Sequence, residues 1–344
     1  MTTTTERFSD APAFEDAIRA AATHHGILPD LVRKDYWVTR VLRALATDEN
    51  HEGRVLFKGG TSLSKGWQLI DRFSEDVDLL LTGPAYGPAP TSAKERARRF
   101  KALRHRIEEE TPLRLPRQEQ LTRDEWNFHY LRGDFHCNLR YPLPGRLTST
   151  ASPNTDWLLV EAGFRGGVQP HARRELTSMV AEFIATQPEA SAALHPYAAD
   201  LAPFEMDLLK PERTFAEKLL GLHCDMIDGV EGAARVRTRH YYDIARLFER
   251  SADVRACIAS GGLMPLIAEA VEVSNRYWNA GVDADSLDIR ASPALGPTAA
   301  QVGVLTASFG REQNLYYRES PSFADILDTL REIRDALPDG HRSE

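Results

Sequence analysis

The chain has 344 residues, 42% of them hydrophobic, and a net charge of −8 from 42 basic and 50 acidic side chains. That composition excludes a disordered or fibrous chain and leaves room for one large core or two moderate ones. An acidic average excludes a general nucleic-acid coat. It does not exclude a local basic groove, because steering depends on where charge sits.

Three scattered cysteines, Cys137, Cys224 and Cys257, make neither a disulfide framework nor a Cys-x-x-Cys zinc pair. They read as thiols in a reducing compartment. The opening Met1-Thr2-Thr3-Thr4-Thr5-Glu6 lacks a basic-then-apolar signal pattern. No apolar run reaches the ~18 residues that span a bilayer. The expectation is a soluble cytoplasmic protein with no membrane partner.

Residues 12–25 and 29–47 are expected as helices. In the second, Leu31, Tyr36, Val38, Val41, Leu42 and Leu45 recur at helical spacing, and Pro29 and Asp30 suit its first turn. Arg54 to Lys58 reads as a short strand broken by Gly59 and Gly60, with Thr61 capping a helix that runs to about Ile70. Val77 to Leu81 reads as a second strand, ended by a Pro/Gly stretch. A very basic helix with an acidic end follows over 92–110. Strands are expected over 126–141 and 156–164, a helix near 174–186, and a strand from Phe204 to Leu208. A long helix then starts at Pro211, a turn occupies 228–234, and another helix starts near His240. The rest reads as helical apart from a loop around 281–300, and no internal repeat is present. Strands mixed with helices give way to helices alone. This pattern predicts an α+β or α/β catalytic half followed by a helical half. The expected division is N-terminal helices over 1–50, a core over 51–210 and a helical domain over 211–344.

The strongest chemical signal is Lys58-Gly59-Gly60-Thr61-Ser62-Leu63-Ser64-Lys65 followed by Ser74-Glu75-Asp76-Val77-Asp78-Leu79. Glycines after a strand let backbone approach a phosphate closely, and the helix that follows offers free N–H groups. Thr61, Ser62 or Ser64 can add hydroxyl donors. The spacing is not that of a Walker A loop, and alone it fits an ordinary strand–turn–helix corner as well. Asp76 and Asp78 add weight. On a strand, residues i and i+2 share a face, where two carboxylates can converge on Mg²⁺. Glu161, alone in the apolar run Leu158 to Phe164, either completes such a metal site or reaches solvent beside Arg165.

Two later helices carry weaker signals. Thr214 and Lys218 share a helix face, where a lysine can hold a triphosphate, but spacing alone favours a solvated surface. Arg239 and Asp243 are likewise four apart, and spacing alone favours a local ion pair.

Together these segments strongly resemble the AbiEii/AbiGii toxin family of nucleotidyltransferases. The likeness rests on Lys58 to Lys65 with Arg72-Phe73-Ser74-Glu75-Asp76-Val77-Asp78-Leu79. It extends to Lys34-Asp35-Tyr36-Trp37-Val38-Thr39, Thr214 to Leu219 and Arg239-His240-Tyr241-Tyr242-Asp243-Ile244. The resemblance implies a DNA polymerase β-like core in an α+β chain. It implies metal ligands Asp76, Asp78 and Glu161, and catalytic roles for Asp76, Asp78, Lys218 and Asp243. Its nucleotide-binding set would be Lys58, Gly59, Gly60, Thr61, Ser62, Lys65, Ser74 and Lys218. His240 stands where the family leads one to expect lysine, so a phosphate contact there would depend on pH.

The implied activity is that of a toxin in a bacterial toxin–antitoxin or abortive-infection system, with a cognate antitoxin as partner. It would move NMP from an NTP to RNA, at the 3′ acceptor end of tRNA, and so block translation. The 3′-hydroxyl would attack the α-phosphate, with Mg²⁺ lowering the hydroxyl's pKa and stabilising the pyrophosphate. Two alternatives remain open at this stage: NMP transfer to a protein side chain, and a non-catalytic nucleotide-binding switch. Asp76, Asp78 and Lys218 together argue against the switch, which needs no full metal set. A DNA-binding regulator lacks support, since no helix-turn-helix is evident. For tRNA the candidate contacts are Lys94, Arg96, Arg98, Arg99, Lys101, Arg104 and Arg106 on one helix, and Arg235, Arg237 and Arg239. Pairing of the first set with Glu108 to Glu110 is the competing reading.

Overall fold

The structure of the protein is a computed structural model, describing residues 6–74, 76–145, 155–278, 281–283, 287–317 and 320–338. Glu75 of the Ser74–Leu79 motif and part of the loop between the strands at 126–141 and 156–164 lie outside the described residues. The chain divides into two compact units, Met1–Thr61 with Glu75–Phe164 and Arg173–Leu208, and Ser62–Ser74 with Arg165–Ala172 and Leu209–Glu344.

The first unit is built on a mixed sheet of seven strands: β1 (Val55–Lys58), β2 (Asp76–Leu81), β3 (Tyr130–Arg132), β4 (His136–Pro142), β5 (Trp157–Gly163), β6 (His171–Leu176) and β7 (Phe204–Leu209). Their order across the sheet is β3-β4-β5-β2-β1-β7-β6. The unit's helices are α1 (Phe14–His25), α2 (Pro29–Ala46), α4 (Ala93–Glu110), α5 (Arg123–His129), α6 (Met179–Ala185), α7 (Pro188–Ala193) and α8 (Ala198–Leu201), while α3 (Gly59–Lys65) starts in this unit and from Ser62 belongs to the second. α2 starts with Pro29 in its first turn, and its residues from Leu31 to Thr39 are buried throughout. It packs on α1, α4 and β5 as a core helix rather than a surface one.

Alternation fixes the register of the central strands. Val77 and Leu79 on β2, Leu158 and Val160 on β5, and Leu139 on β4 are all buried, while Asp76, Asp78 and Glu161 are half-buried. Burying each such apolar side chain contributes about 1.5–3 kcal/mol. A one-residue slip would exchange the faces and drive the carboxylates into the core.

The second unit is helical: α9 (Pro211–Met226), α10 (Gly229–Arg235), α11 (Arg239–Arg250), α12 (Ala252–Ala259), α13 (Leu263–Trp278), α14 (Ala299–Arg311) and α15 (Phe323–Ala336). Its core gathers Leu63 and Ile70 with Phe215, Leu219, Tyr241, Ile244, Leu305, Phe309, Ile326 and Leu330. No single described helix is long and apolar enough to cross a membrane.

The α+β class and the helical C-terminal half expected from the sequence are what the chain adopts. Four local expectations change. Residues 123–129, taken partly into a strand, form α5, because Thr122 and Glu125 make a capping box. Residues 174–176, expected as the start of a helix near 174–186, belong to the edge strand β6, and the helix α6 begins at Met179. The expected turn at 228–234 is largely helix α10. The helix expected from Thr61 to Ile70 starts at Gly59 and ends at Lys65, so Thr61 lies inside it.

Candidate active site

The sheet register assembles one half of the expected set within the first unit. Lys58 on β1 lies opposite Asp78 on the antiparallel β2. Asp78 lies opposite Glu161 on the parallel β5, and Glu161 opposite Asn138 on the antiparallel β4. Directly paired residues project to the same face, so Lys58, Asp78, Glu161 and Asn138 form one row. Asp76 shares that face two residues earlier, opposite Leu159. Asn138 donates from Nδ2 to Oε1 of Glu161 at 3.1 Å, which orients the carboxylate.

Gly59 follows β1 directly and takes φ +74°. A Cβ there would lie 2.0 Å from Oδ2 and 2.7 Å from Cγ of Asp78. The position therefore requires glycine twice, for its backbone and for the space that the Asp78 carboxylate fills. Thr61 is 5% exposed, and its hydroxyl donates to the carbonyl of Asp76, tying α3 to the start of β2. Ser62 is fully buried, whereas Ser64, Lys65 and Ser74 are half-buried. Of the expected hydroxyl donors, Ser64 is thus more open than Thr61 or Ser62.

The second unit assembles the other half. Asp243 on α11 is 0% exposed and is held by two cations. Arg72 grips it with a two-bonded fork, Nε to Oδ1 and Nη2 to Oδ2, each 2.7 Å. Lys218 on α9 places Nζ 2.9 Å from Oδ2, and its side chain is 11% exposed. Burial pushes the Asp243 carboxyl up, but Arg72 and Lys218 outweigh it and hold the group well below the usual carboxylate range. Burial opposes the charge of Arg72, yet Asp243 raises its pKa overall. Thr214 is buried one turn before Lys218. Backbone pairing secures the segment carrying Arg72: Phe73 N–H donates to Leu315 O at 2.8 Å and Tyr317 N–H to Asp71 O at 3.2 Å.

His240 stands one turn before Asp243. The positive charge of Lys218, then burial, pushes its pKa down to about 2. Without substrate the imidazole is therefore held in its neutral form at neutral pH.

A family model for the nucleotidyl transferase AbiEii toxin, type IV toxin–antitoxin system, matches residues 40–329. The chain belongs to the AbiEii nucleotidyltransferase toxin family. Among solved structures it is similar to MenT4, a nucleotidyltransferase toxin from Mycobacterium tuberculosis H37Rv, at 16% identity and a TM-score of 0.48. That match covers 94% of this chain and 90% of the other. Among curated proteins none matches the sequence.

Membership of the AbiEii family makes the carboxylate face the place to test for a metal. Asp76, Asp78 and Glu161 offer only oxygen, the donor set that suits Mg²⁺. The absence of a Cβ on Gly59 gives the Asp78 carboxylate the room it occupies. As their side chains stand, no three His, Cys, Asp or Glu groups among the described residues are close enough to hold an ion. Asp78 and Glu161 are paired across the strands and Asp76 shares their face, so bringing the three onto one ion would need side-chain rotation.

Sequence reasoning missed two participants. Arg72 was read only as part of a motif, and its partner lies far along the chain. Asn138 carries no local signal and reaches Glu161 only through strand pairing. The local Arg239–Asp243 pair is replaced by the Arg72 and Lys218 contacts. The basic helix α4 also resolves unevenly. Arg96 is buried, bonded to Asp134 and to carbonyls of Pro90 and Thr91. Arg104 pairs with Glu108 and Arg106 with Glu110. Lys94, Arg98 and Lys101 are exposed.

Proposed function

We infer that this chain transfers NMP from an NTP to the 3′ end of an RNA, with the acceptor end of tRNA as target, and so stops translation. The observation that carries this reading is the row Lys58–Asp78–Glu161, with Gly59 fitted against Asp78, in a chain of the AbiEii family. Asp76, Asp78 and Glu161 would hold Mg²⁺. The ion, when bound, supplies Lewis-acid stabilisation of phosphoryl charge.

The residues have separable tasks. Lys58 brings positive charge to the carboxylate row. Lys218, held by Asp243, brings its ammonium to the triphosphate, the role that the family resemblance assigns to it. Glu161, oriented by Asn138, accepts the proton of the RNA 3′-hydroxyl. The hydroxyl oxygen bonds to the α-phosphorus as the bond from that phosphorus to the β-phosphate oxygen breaks. Pyrophosphate leaves with the electron pair. A tRNA 3′ end is single-stranded and reaches such a face without unpairing a duplex. The work is placed in the cytoplasm, with the cognate antitoxin as protein partner.

The test is incubation with total RNA, Mg²⁺ and each labelled NTP separately. Label from one NTP on tRNA, lost in Asp78→Ala, supports the reading. Label on protein alone, with RNA untouched under every NTP, would replace it with protein modification.

A further inference from the structure

The carboxylate face continues beyond the residues described so far. Leu131 on β3 lies opposite Asn138, so the row Asp78–Glu161–Asn138 ends on Leu131 at the sheet edge. Arg140 shares the face of Asn138 and lies opposite Leu159. Its guanidinium carbon sits 4.2 Å from the ring centroid of Phe128, the penultimate residue of α5. Phe128 meets Trp157 edge-on, with centroids 5.5 Å apart. Trp157 is on the same strand face as Glu161, four residues earlier.

Phe128 and Leu131 are each 47% exposed, among the most open large apolar side chains of the described chain. An aromatic held open by a guanidinium is a poor core element but a good surface for a flat, partly apolar ligand. The charge across the edge strand points to the ligand. Arg132 follows Leu131 on the opposite face of β3 and lines a cleft of about 430 Å³ with Lys94, Arg98 and Lys101 of α4 and with Glu95, which pairs with Arg98. A single edge strand thus carries an apolar residue toward the carboxylate row and a cation toward a basic cleft. Nucleic-acid strands present the same two chemistries, base faces and phosphates.

The geometry points to a stacking platform for the unpaired bases of the RNA acceptor, formed by Phe128 and Leu131 and held by Arg140. Arg132, Lys94, Arg98 and Lys101 meet phosphates farther along the strand. Leu131 is three strands from Asp78, about 14 Å at ordinary strand spacing and about four stacked nucleotides. An overhang of that length would place its terminal hydroxyl at the carboxylates while its earlier bases rest on Phe128. The assignment rests on RNA being the acceptor. It adds that the enzyme reads a single-stranded tail, without base-specific contacts.

The full chain is tested with two RNA hairpins of identical stem, one carrying an unpaired 3′ tail of about four nucleotides and one blunt. Wild type should favour the tailed RNA. Phe128→Ala should lower kcat/KM for the tailed RNA about tenfold, through KM for RNA, with KM for NTP held within about twofold. Leu131→Ala should act in the same direction, and Phe128→Trp should restore the preference. A 2-aminopurine in the tail should be quenched on binding wild type and less so on binding Phe128→Ala. Variants that label tailed and blunt RNA in the wild-type ratio, with wild-type quenching, would overturn the platform and leave RNA as acceptor. If wild type labels no RNA, the acceptor reading fails and the platform fails with it.

Discussion

Arg72 meets Asp243 through two parallel bonds of 2.7 Å, although 171 positions separate them in the chain. Both side chains are buried, at 2% and 0% exposure. Removing one partner of such a pair leaves a desolvated charge and costs about 3–5 kcal/mol. Arg72→Ala should therefore lower thermal stability sharply. Arg72→Lys should fall between the two, because an ammonium cannot make the fork. Unchanged melting of Arg72→Ala would show the pair to be dispensable.

The same carboxylate sets an acid limit. Its folded pKa lies below the ordinary value, so its stabilisation is complete above about 3.9 and is lost as pH falls through the folded value. Asp243→Asn should weaken the protein at neutral pH and flatten the acid end of its stability curve. Urea unfolding at a series of pH values measures both.

Lys218 should behave differently from Arg72. Without it, Asp243 keeps both bonds from Arg72, so the fold should survive Lys218→Met while use of NTP falls. His240 gives an internal readout, since Lys218 is the leading cause of its depressed pKa. In wild type the imidazole should remain neutral to NMR at pH 5, and in Lys218→Met its pKa should rise toward 6.5. The sign for stability follows. With a folded value near 2, the contribution of His240 is complete above the unfolded value and falls by about 1.4 kcal/mol per pH unit below it. A His240→Gln chain should lose stability less steeply between pH 6.5 and 5.

Gly59→Ala tests the fit against Asp78. The new Cβ would meet Oδ2 at 2.0 Å, at a φ of +74° that L-residues rarely adopt. Backbone strain of about 1–2 kcal/mol is expected, together with displacement of the carboxylate. Transfer should therefore fall by more than the stability loss explains, at a temperature where the variant is folded. Full transfer by a folded Gly59→Ala chain would remove Asp78 from the reaction.

These contacts mark what the sequence makes legible. The i, i+2 acids, the glycine pair and the alternating strand are local, and periodicity finds them. The pairing of Asp78 with Glu161 is not local; a lone acid in an apolar run marks Glu161 as a candidate, and only family likeness chooses the metal site over solvent, since strand order has no short-range signature. Arg72 was hidden for the same reason. At 126–130, alternating Trp126, Phe128 and Tyr130 imitated a strand, although Thr122 and Glu125 announced a helix start. At 174–176, charged residues imitate the first turn of a helix, but these residues end the strand β6. The segment is an edge strand, where exposed Arg173, Arg174 and Glu175 reach solvent.

The basic helix α4 yields the last prediction. Its charges looked equivalent in sequence, but packing separates them. Arg96 donates to Asp134 and to two backbone carbonyls and stacks 4.1 Å from the Phe135 ring centroid. Arg99 donates to Thr82 O at 3.2 Å. Arg96→Ala should therefore destabilise the first unit by leaving those acceptors short of a donor, about 1–3 kcal/mol. Lys94 and Lys101 are exposed and sit beside Arg98, whose partner Glu95 is itself 37% exposed. Such a surface pair contributes little to the fold and can exchange its carboxylate for a phosphate. Lys94→Glu with Lys101→Glu should leave melting within about 0.5 kcal/mol of wild type. It should weaken tRNA labelling and flatten its salt dependence, because each lost phosphate contact removes about one unit from the slope. A double variant with the wild-type salt slope would place the RNA elsewhere on the protein.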